Sequence, residues 1–179
     1  MDNLQLAPMT CAFTKAGLAA GTTTTLTQTL AGGATSNIFA IRGKMYSASA
    51  LSNTATPTTD WATGKAFLPV LANQGGVFMV GFDHSGNLRA IQGQTAALDT
   101  VTEPGNFLTA PQFGAMGPSG SGSGDGDFCP IGYVVVQAGS TANNTTGWTF
   151  GSSNFAGPPT GITFTFQDVC GITDRPQVS

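Results

Sequence analysis

The feature that most constrains this chain is how little charge it carries. Six Lys plus Arg and nine Asp plus Glu make up 8% of its 179 residues, against about 25% in an ordinary globular protein. One acid alone is a glutamate, Glu103. A surface helix needs Lys and Glu along its wet face, and this sequence has almost none to supply. Its polarity comes from Thr, Ser, Asn and Gln, punctuated by 25 glycines and 10 prolines, the residues of strand faces and turns. Hydrophobic residues reach 40%, enough for a core. The expectation is an all-β fold: an antiparallel β-sandwich or barrel-like domain with long Gly/Pro/Thr-rich loops.

The length suits one compact domain. Residues 1–35 read as an N-terminal arm or edge-strand segment, and residues 36–179 as a single β domain with a flexible loop at 114–127 and an extended C-terminal tail. In "TTTTLTQTL" (22–30) Leu26, Gln28 and Leu30 share one face and threonines the other, which suits an edge strand or a subunit contact. "SNIFAIRGKMYSAS" (36–49) reads as a strand with a bulge at Gly43. "AFLPVLA" (66–72) reads as a short strand held to an edge or a bulge by Pro69. "FCPIGYVVVQAG" (128–139) is a nearly continuous apolar run of the kind found at a sheet centre. "GITFTFQDV" (161–169) alternates Ile162, Phe164 and Phe166 against Thr163, Thr165 and Gln167, a half-buried strand.

The chain's one histidine sits in "GVFMVGFDHSGNLRAIQG" (76–93), flanked by Asp83 and Ser85. Three consecutive residues do not make a catalytic triad, whose members come from separate chain positions and converge in space. Asp83 opening a turn and Gly86 closing it make this a β-hairpin. The carboxylates Asp60, Asp83, Asp99, Glu103, Asp125, Asp127, Asp168 and Asp174 sit in or beside loops and read as turn formers; a pair of them would be the minimum for glycoside cleavage. "SGDGDF", with Asp125 and Asp127, lacks the remaining ligands of a calcium loop. No phosphate-binding loop is present, and the triplets at Asn143 and Asn144 are formal glycosylation acceptors only. Cys11, Cys129 and Cys170 have no metal-ligand spacing and read as buried reduced thiols, with a Cys129–Cys170 bridge left open. Trp61, Trp148, Phe150 and Phe155 lie in polar loops, where they either plug the ends of the core or stack on sugars. The reading contains no catalytic residue, no metal ligand and no cofactor site.

A formal charge of −3 without a basic cluster disfavours nucleic-acid binding. The apolar runs are far short of a membrane helix. The start "MDNLQLAPMT" lacks the pattern of a signal peptide, which predicts synthesis in a cytoplasm without the Sec route.

The segments "GGVFMVGFDHSGNLRAIQG", "NFLTAPQFGAM" and "CPIGYVVVQAGSTANNTTGWTFGSSNFAGPPTGITFTFQDVCGITDRPQ" resemble small structural proteins of tailed bacteriophages, the decoration, cement or minor capsid proteins of the head. The resemblance spans about residues 36–178 and lies in texture: Thr/Gly/Asn-rich strands, few charges, a Pro-containing tail. It implies a non-enzymatic virion protein that oligomerises, often as a trimer, and binds the major capsid protein lattice on the outer surface of the phage head. Thr22–Leu30 and Thr173–Ser179 are the expected assembly elements. The alternatives are a tail, fibre or spike component that binds host-surface glycans through Trp61 and Trp148, and a small glycan-processing enzyme using two loop aspartates.

Overall fold

The computed structural model describes residues 10–103, 105–110, 113, 128–140 and 147–170. Its strands are β1 (Cys11–Ala12), β2 (Leu18–Ala20), β3 (Thr25–Gln28), β4 (Ser36–Ile41), β5 (Lys44–Ser49) and β6 (Thr54–Ala55). They continue with β7 (Gln74–Asp83), β8 (Leu88–Gln92), β9 (Ala96–Ala97), β10 (Phe128–Ala138) and β11 (Ile162–Asp168). Every pairing between them is antiparallel. The described residues contain no α-helix, only a 3-10 turn at Ala31–Gly33. The all-β expectation therefore holds. A closed barrel does not form, because the strands divide into three sheets with free ends: β1-β4-β5, β2-β3-β6, and β11-β10-β7-β8 with β9 also on β7.

The centre is the pairing of β7 with β10, which runs from Phe128↔Asp83 to Ala138↔Gln74. Phe78, Val80, Phe82, Ile131, Val134 and Val136 are buried along it, each contributing about 1.5–3 kcal/mol relative to exposure. Pro130 stands inside this central strand without an N–H to give. The ladder accommodates it with a register shift between Pro130 and Gly132, so that Ile131 is the extra residue. A bulge is where a strand tolerates proline. Opposite it, Gly81 lies so close to the Cys129 carbonyl that a Cβ there would overlap it.

One core joins the three sheets. It takes Ala12 from β1, Leu18 from β2, Leu26 from β3, Phe39 from β4 and Ile162 from β11 against the β7–β10 pair. Phe39 stacks on Phe82 at 5.6 Å, tying the first sheet to the central one. The other side of β7, β8 and β10 carries a smaller cluster, Met79, Ile91 and Phe128, against which Trp61, Phe113 and Tyr133 pack.

Several expectations change on contact with the structure. "SNIFAIRGKMYSAS" is not one bulged strand but the hairpin β4–β5, with Ile41 paired to Lys44 and both turn residues at positive φ, Arg42 at 50° and Gly43 at 76°. That is the backbone of a type I′ turn. "AFLPVLA" is not a strand; Val70 only bridges Trp148. The Thr22–Leu30 stretch supplies β3, the middle strand of its sheet rather than an edge, with β2 on one side and β6 on the other. From Ala12 onward the stretch read as an arm or edge segment packs into the common core. The loop at 114–127 and the tail from 171 lie outside the described residues.

The tight approach at Gly81 predicts that Gly81→Ala destabilises the protein by about 1–3 kcal/mol, the usual range for overpacking. Urea unfolding followed by tryptophan fluorescence measures it; an unchanged midpoint would mean that the β7–β10 bulge yields to the added methyl group at no cost.

Candidate functional site

Asp83, His84 and Ser85 occupy the turn between β7 and β8. The Gly86 N–H donates to the Asp83 carbonyl at 2.9 Å, and the Asp83 N–H to the Asn87 carbonyl at 3.1 Å. Gly86 closes the turn at φ 78°. The Asp83 carboxylate is fully engaged. Its Oδ1 accepts the N–H of Ser85 and of Asn87, both at 2.9 Å, while Oδ2 accepts Asn87 Nδ2 at 3.1 Å and Arg89 Nε at 2.9 Å. Burial pushes its pKa up, but the Asn87 and Arg89 hydrogen bonds and the Arg89 charge outweigh this and hold it below the usual carboxylate range. This carboxylate has no lone pair left with which to orient an imidazole. Its neighbours His84 and Ser85 are exposed on the turn.

Arg89 links this turn to Trp61. Its guanidinium lies 4.3 Å from the centre of the Trp61 ring, a stacked cation–π contact. The loop bearing Trp61 is pinned along the outer edge of β8. Trp61 N–H donates to the Ala90 carbonyl at 2.8 Å, and Gln92 N–H donates to Asp60 Oδ2 at 3.3 Å. Asp60 Oδ1 meanwhile takes the N–H of Ala62 at 2.7 Å and of Thr63 at 3.3 Å. An edge strand is thus sealed by a loop whose aspartate imitates a partner strand.

The other carboxylates do similar structural tasks. Asp99 accepts the N–H of Val101, Thr102 and Glu103, and these bonds lower its pKa. Glu103 holds Asn106 Nδ2 at 2.7 Å. Asp168 receives Leu18 N–H at 3.0 Å and so fastens β2 to the end of β11. The structure brings no two of these carboxylates onto a shared ligand, and Asp125, Asp127 and Asp174 lie outside the described residues, as do Asn143 and Asn144. Among the described residues no group of three His, Cys, Asp or Glu is placed to hold a metal ion.

The loop aromatics divide. Trp148, Phe150 and Phe155 are buried. Trp148 donates its Nε1–H to the Asn154 carbonyl at 3.1 Å and meets Phe155 at 5.2 Å and Phe164 at 5.1 Å. They plug one end of the core. Trp61 is half-buried with one face under Arg89. Trp148 offers no open face on which a sugar would stack, and Arg89 takes one face of Trp61.

All three cysteines are free thiols. Cys11 and Cys129 are buried as expected; Cys170 is exposed, which corrects the reading of it as a buried thiol. Burial, and then the neighbouring Cys170, push the Cys11 thiol up. Burial, and then Cys11, push Cys129 up to about 12.

What the sequence did not disclose is a surface. On the sheet β1-β4-β5 the inner row is Ala12, Phe39 and Tyr46 in register; on the other face Ile38 lies opposite Ser47, and Met45 lies in the adjacent row opposite Ala40 and Cys11. Phe13 N–H bonds to the Ile38 carbonyl at 2.9 Å and lies beside Ile38. Phe13 is 44% exposed, Ile38 39% and Met45 56%. β5 is the end strand of this sheet, with β4 on one side and no further strand on the other among the described residues. Beside it runs an open groove of about 400 Å³ between β5 and the β7–β8 turn, walled by Ser47, Ser49, Thr54 and Ser85 over Phe82 and Leu88. No lining residue is charged.

Asp83, with its folded-state pKa depressed, adds stability that is present above the unfolded carboxyl pKa of about 4 and lost as pH falls through the lower folded value. Asp83→Asn should cost about 1–3 kcal/mol at neutral pH and flatten the acid limb of the stability curve below about pH 4; an unaltered limb would place the acid sensitivity elsewhere. Compared with protein-family models, with curated proteins and with solved structures, the chain matches none of them.

Proposed function

We propose that this chain is a non-enzymatic structural protein of a bacteriophage virion, one that decorates or cements the head by binding the major capsid protein lattice as a homo-oligomer. The observation that carries the reading is the outer face of β1-β4-β5, where Phe13, Ile38 and Met45 stand exposed on a sheet whose end strand β5 has no further partner strand among the described residues. An apolar face next to such an edge is what a neighbouring chain covers, the side chains burying and the edge extending the sheet. The resemblance of the sequence to head decoration proteins supplies the identity of that neighbour. The way the acids are used points in the same direction. Asp60, Asp83, Asp99 and Asp168 are engaged by the chain's own amide groups, leaving the work of the molecule to its surfaces. Docking of this kind tolerates wide changes in salt, because there is little Coulomb energy to screen.

Thr22–Leu30, expected from the sequence to be an assembly element, has no part in this proposal. Both edges of β3 are taken within the chain. Leu26 and Leu30 are buried. Thr173–Ser179 lies outside the described residues.

The test is addition of purified protein to undecorated capsid shells. Wild type should bind stoichiometrically and with little change from low to high salt. Met45→Asp should weaken binding by about tenfold or more, as loss of an interface anchor does, while its unfolding free energy stays within about 0.5 kcal/mol of wild type. Binding that survives Met45→Asp, or that collapses with added salt, would overturn the assignment of this face. Absence of the polypeptide from purified virions would overturn the function itself.

A further inference from the structure

The start and the end of the described fold meet at one place. β11 finishes against the core with Val169 N–H donating to the Ile131 carbonyl at 2.9 Å. The next residue, Cys170, reaches across to the residue that follows β1 and gives its thiol hydrogen to the Phe13 carbonyl, Sγ to O 3.5 Å. Cys11 lies two residues before Phe13, in β1. The Cys170 sulfur therefore rests on the short stretch of chain that carries Cys11. The two thiols differ in access: Cys11 is 2% exposed, whereas Cys170 is open to solvent. Cys129 also neighbours Cys11, but a small disulfide does not reach it. It is 0% exposed within the main core, and its thiol is directed at the Pro130 carbonyl at 3.7 Å.

We propose that Cys11 and Cys170 form a redox latch, a disulfide that closes on oxidation and ties the first strand of the fold to the end of its last. The oxidant is a low-molecular-weight disulfide of the glutathione class, RSSR. Cys170, deprotonated and exposed, attacks one sulfur of RSSR. A Cys170–SR bond forms, the S–S bond of RSSR breaks, and the expelled thiolate takes up the proton that Cys170 released. The Cys170 side chain then turns from the Phe13 carbonyl toward Cys11. The Cys11 thiolate attacks Cys170 Sγ, the Cys170–SR bond breaks, and the second thiolate leaves with the proton from Cys11. Two protein thiols and one RSSR become one protein disulfide and two RSH, with two electrons passing from the protein to the oxidant.

The order of events follows from access, since a small disulfide reaches an exposed sulfur and not a buried one. The higher pKa that burial and Cys170 impose on Cys11 agrees with its role as the second, intramolecular nucleophile. The closed latch would span nearly the whole chain, from residue 11 to residue 170. A cross-link over so long a loop restricts the unfolded ensemble strongly and leaves the folded sheets as they are.

The experiment uses the full chain, reduced and then incubated with oxidised glutathione in the absence of air. Free thiols are counted after denaturation, and peptides are mapped without reduction. The expected result is a fall from three free thiols to one, a linked peptide pair containing Cys11 and Cys170, and a rise in Tm that dithiothreitol reverses. Cys129→Ser should close the latch as wild type does. Cys11→Ser should stop at a glutathione adduct on Cys170. Because the map is made on wild type, the decision does not depend on whether the variants fold. Three thiols remaining after oxidation would overturn the proposal, as would a wild type that stops at the adduct, a link to Cys129, or a link between two copies of the chain.

Discussion

The pairing of β7 with β10 is the contact on which the other sheets and loops depend, because it is where two long apolar strands cover each other's backbone deep in the molecule. Buried N–H and C=O groups must be paired, and here the ladder pairs them over nearly the full length of both strands. Each of these strands also has another neighbour, β8 and β9 for β7 and β11 for β10. What attaches to them attaches through rings. Phe82 receives Phe39 from the first sheet, while Phe78 receives Phe150 at 4.8 Å and Trp148 at 6.0 Å from the far loop. The constraint is local and steric. Pro130 cannot donate, so the strand bulges, and Gly81 gives the bulged carbonyl room.

A chain with so few charges has to order its loops by other means, and it does so with acceptors and amides. An aspartate that takes two or three backbone N–H groups fixes a turn without needing a lysine opposite it. Neutral amides make the longer bridges. Gln28 and Asn37 exchange hydrogen bonds at 3.1 and 2.9 Å, and Gln28 Oε1 also takes Leu51 N–H at 2.9 Å, joining β3 to β4 and to the chain after β5. Gln92 grips Leu68 from both sides, accepting its N–H at 2.7 Å and donating to its carbonyl at 2.9 Å. Burying such groups costs less than burying ions, provided that each finds a partner. The one described ion pair at the hairpin, Arg89 with Asp83, is itself completed by the Trp61 ring.

The parts of this arrangement that are local in sequence were legible, and those that depend on distant partners were not. The Asp83–Gly86 turn, β10 and β11 follow from alternation, an unbroken apolar run and an aspartate–glycine pair. The turn of β4–β5 was missed because it places an arginine, not asparagine, at positive φ. Nothing in "TTTTLTQTL" told that its far edge would be taken by a strand as short as Thr54–Ala55. Gln28 on an otherwise leucine face was a signal in hindsight: a half-buried amide needs a partner, and the buried Asn37 is that partner. The thiols could not be placed from spacing, since Cys11 and Cys170 are brought near each other only by the whole fold. The outer apolar face was hidden in the same way. Ile38 and Met45 come from β4 and β5 and Phe13 from the residue after β1, and no short window of sequence contains all three.

The two edges flanking the β7–β8 turn make the final point about surfaces. At β8 the edge is closed: a loop lies along it, Asp60 and Trp61 meet its backbone, and Gln92 clasps the chain beyond. At β5 no further strand pairs among the described residues, and Lys44 at its start, whose ammonium sits 5.5 Å over the Tyr46 ring, is a feature of the kind that discourages pairing. The same chain thus closes the edge of β8 with an aspartate, a backbone amide and a glutamine, while β5 has no such loop along it among the described residues. The composition agrees with that division of labour. The groove and the apolar face beside it are lined by hydroxyls and hydrocarbon, with no charged side chain in the groove, so their chemistry is set by shape and burial rather than by opposing charges.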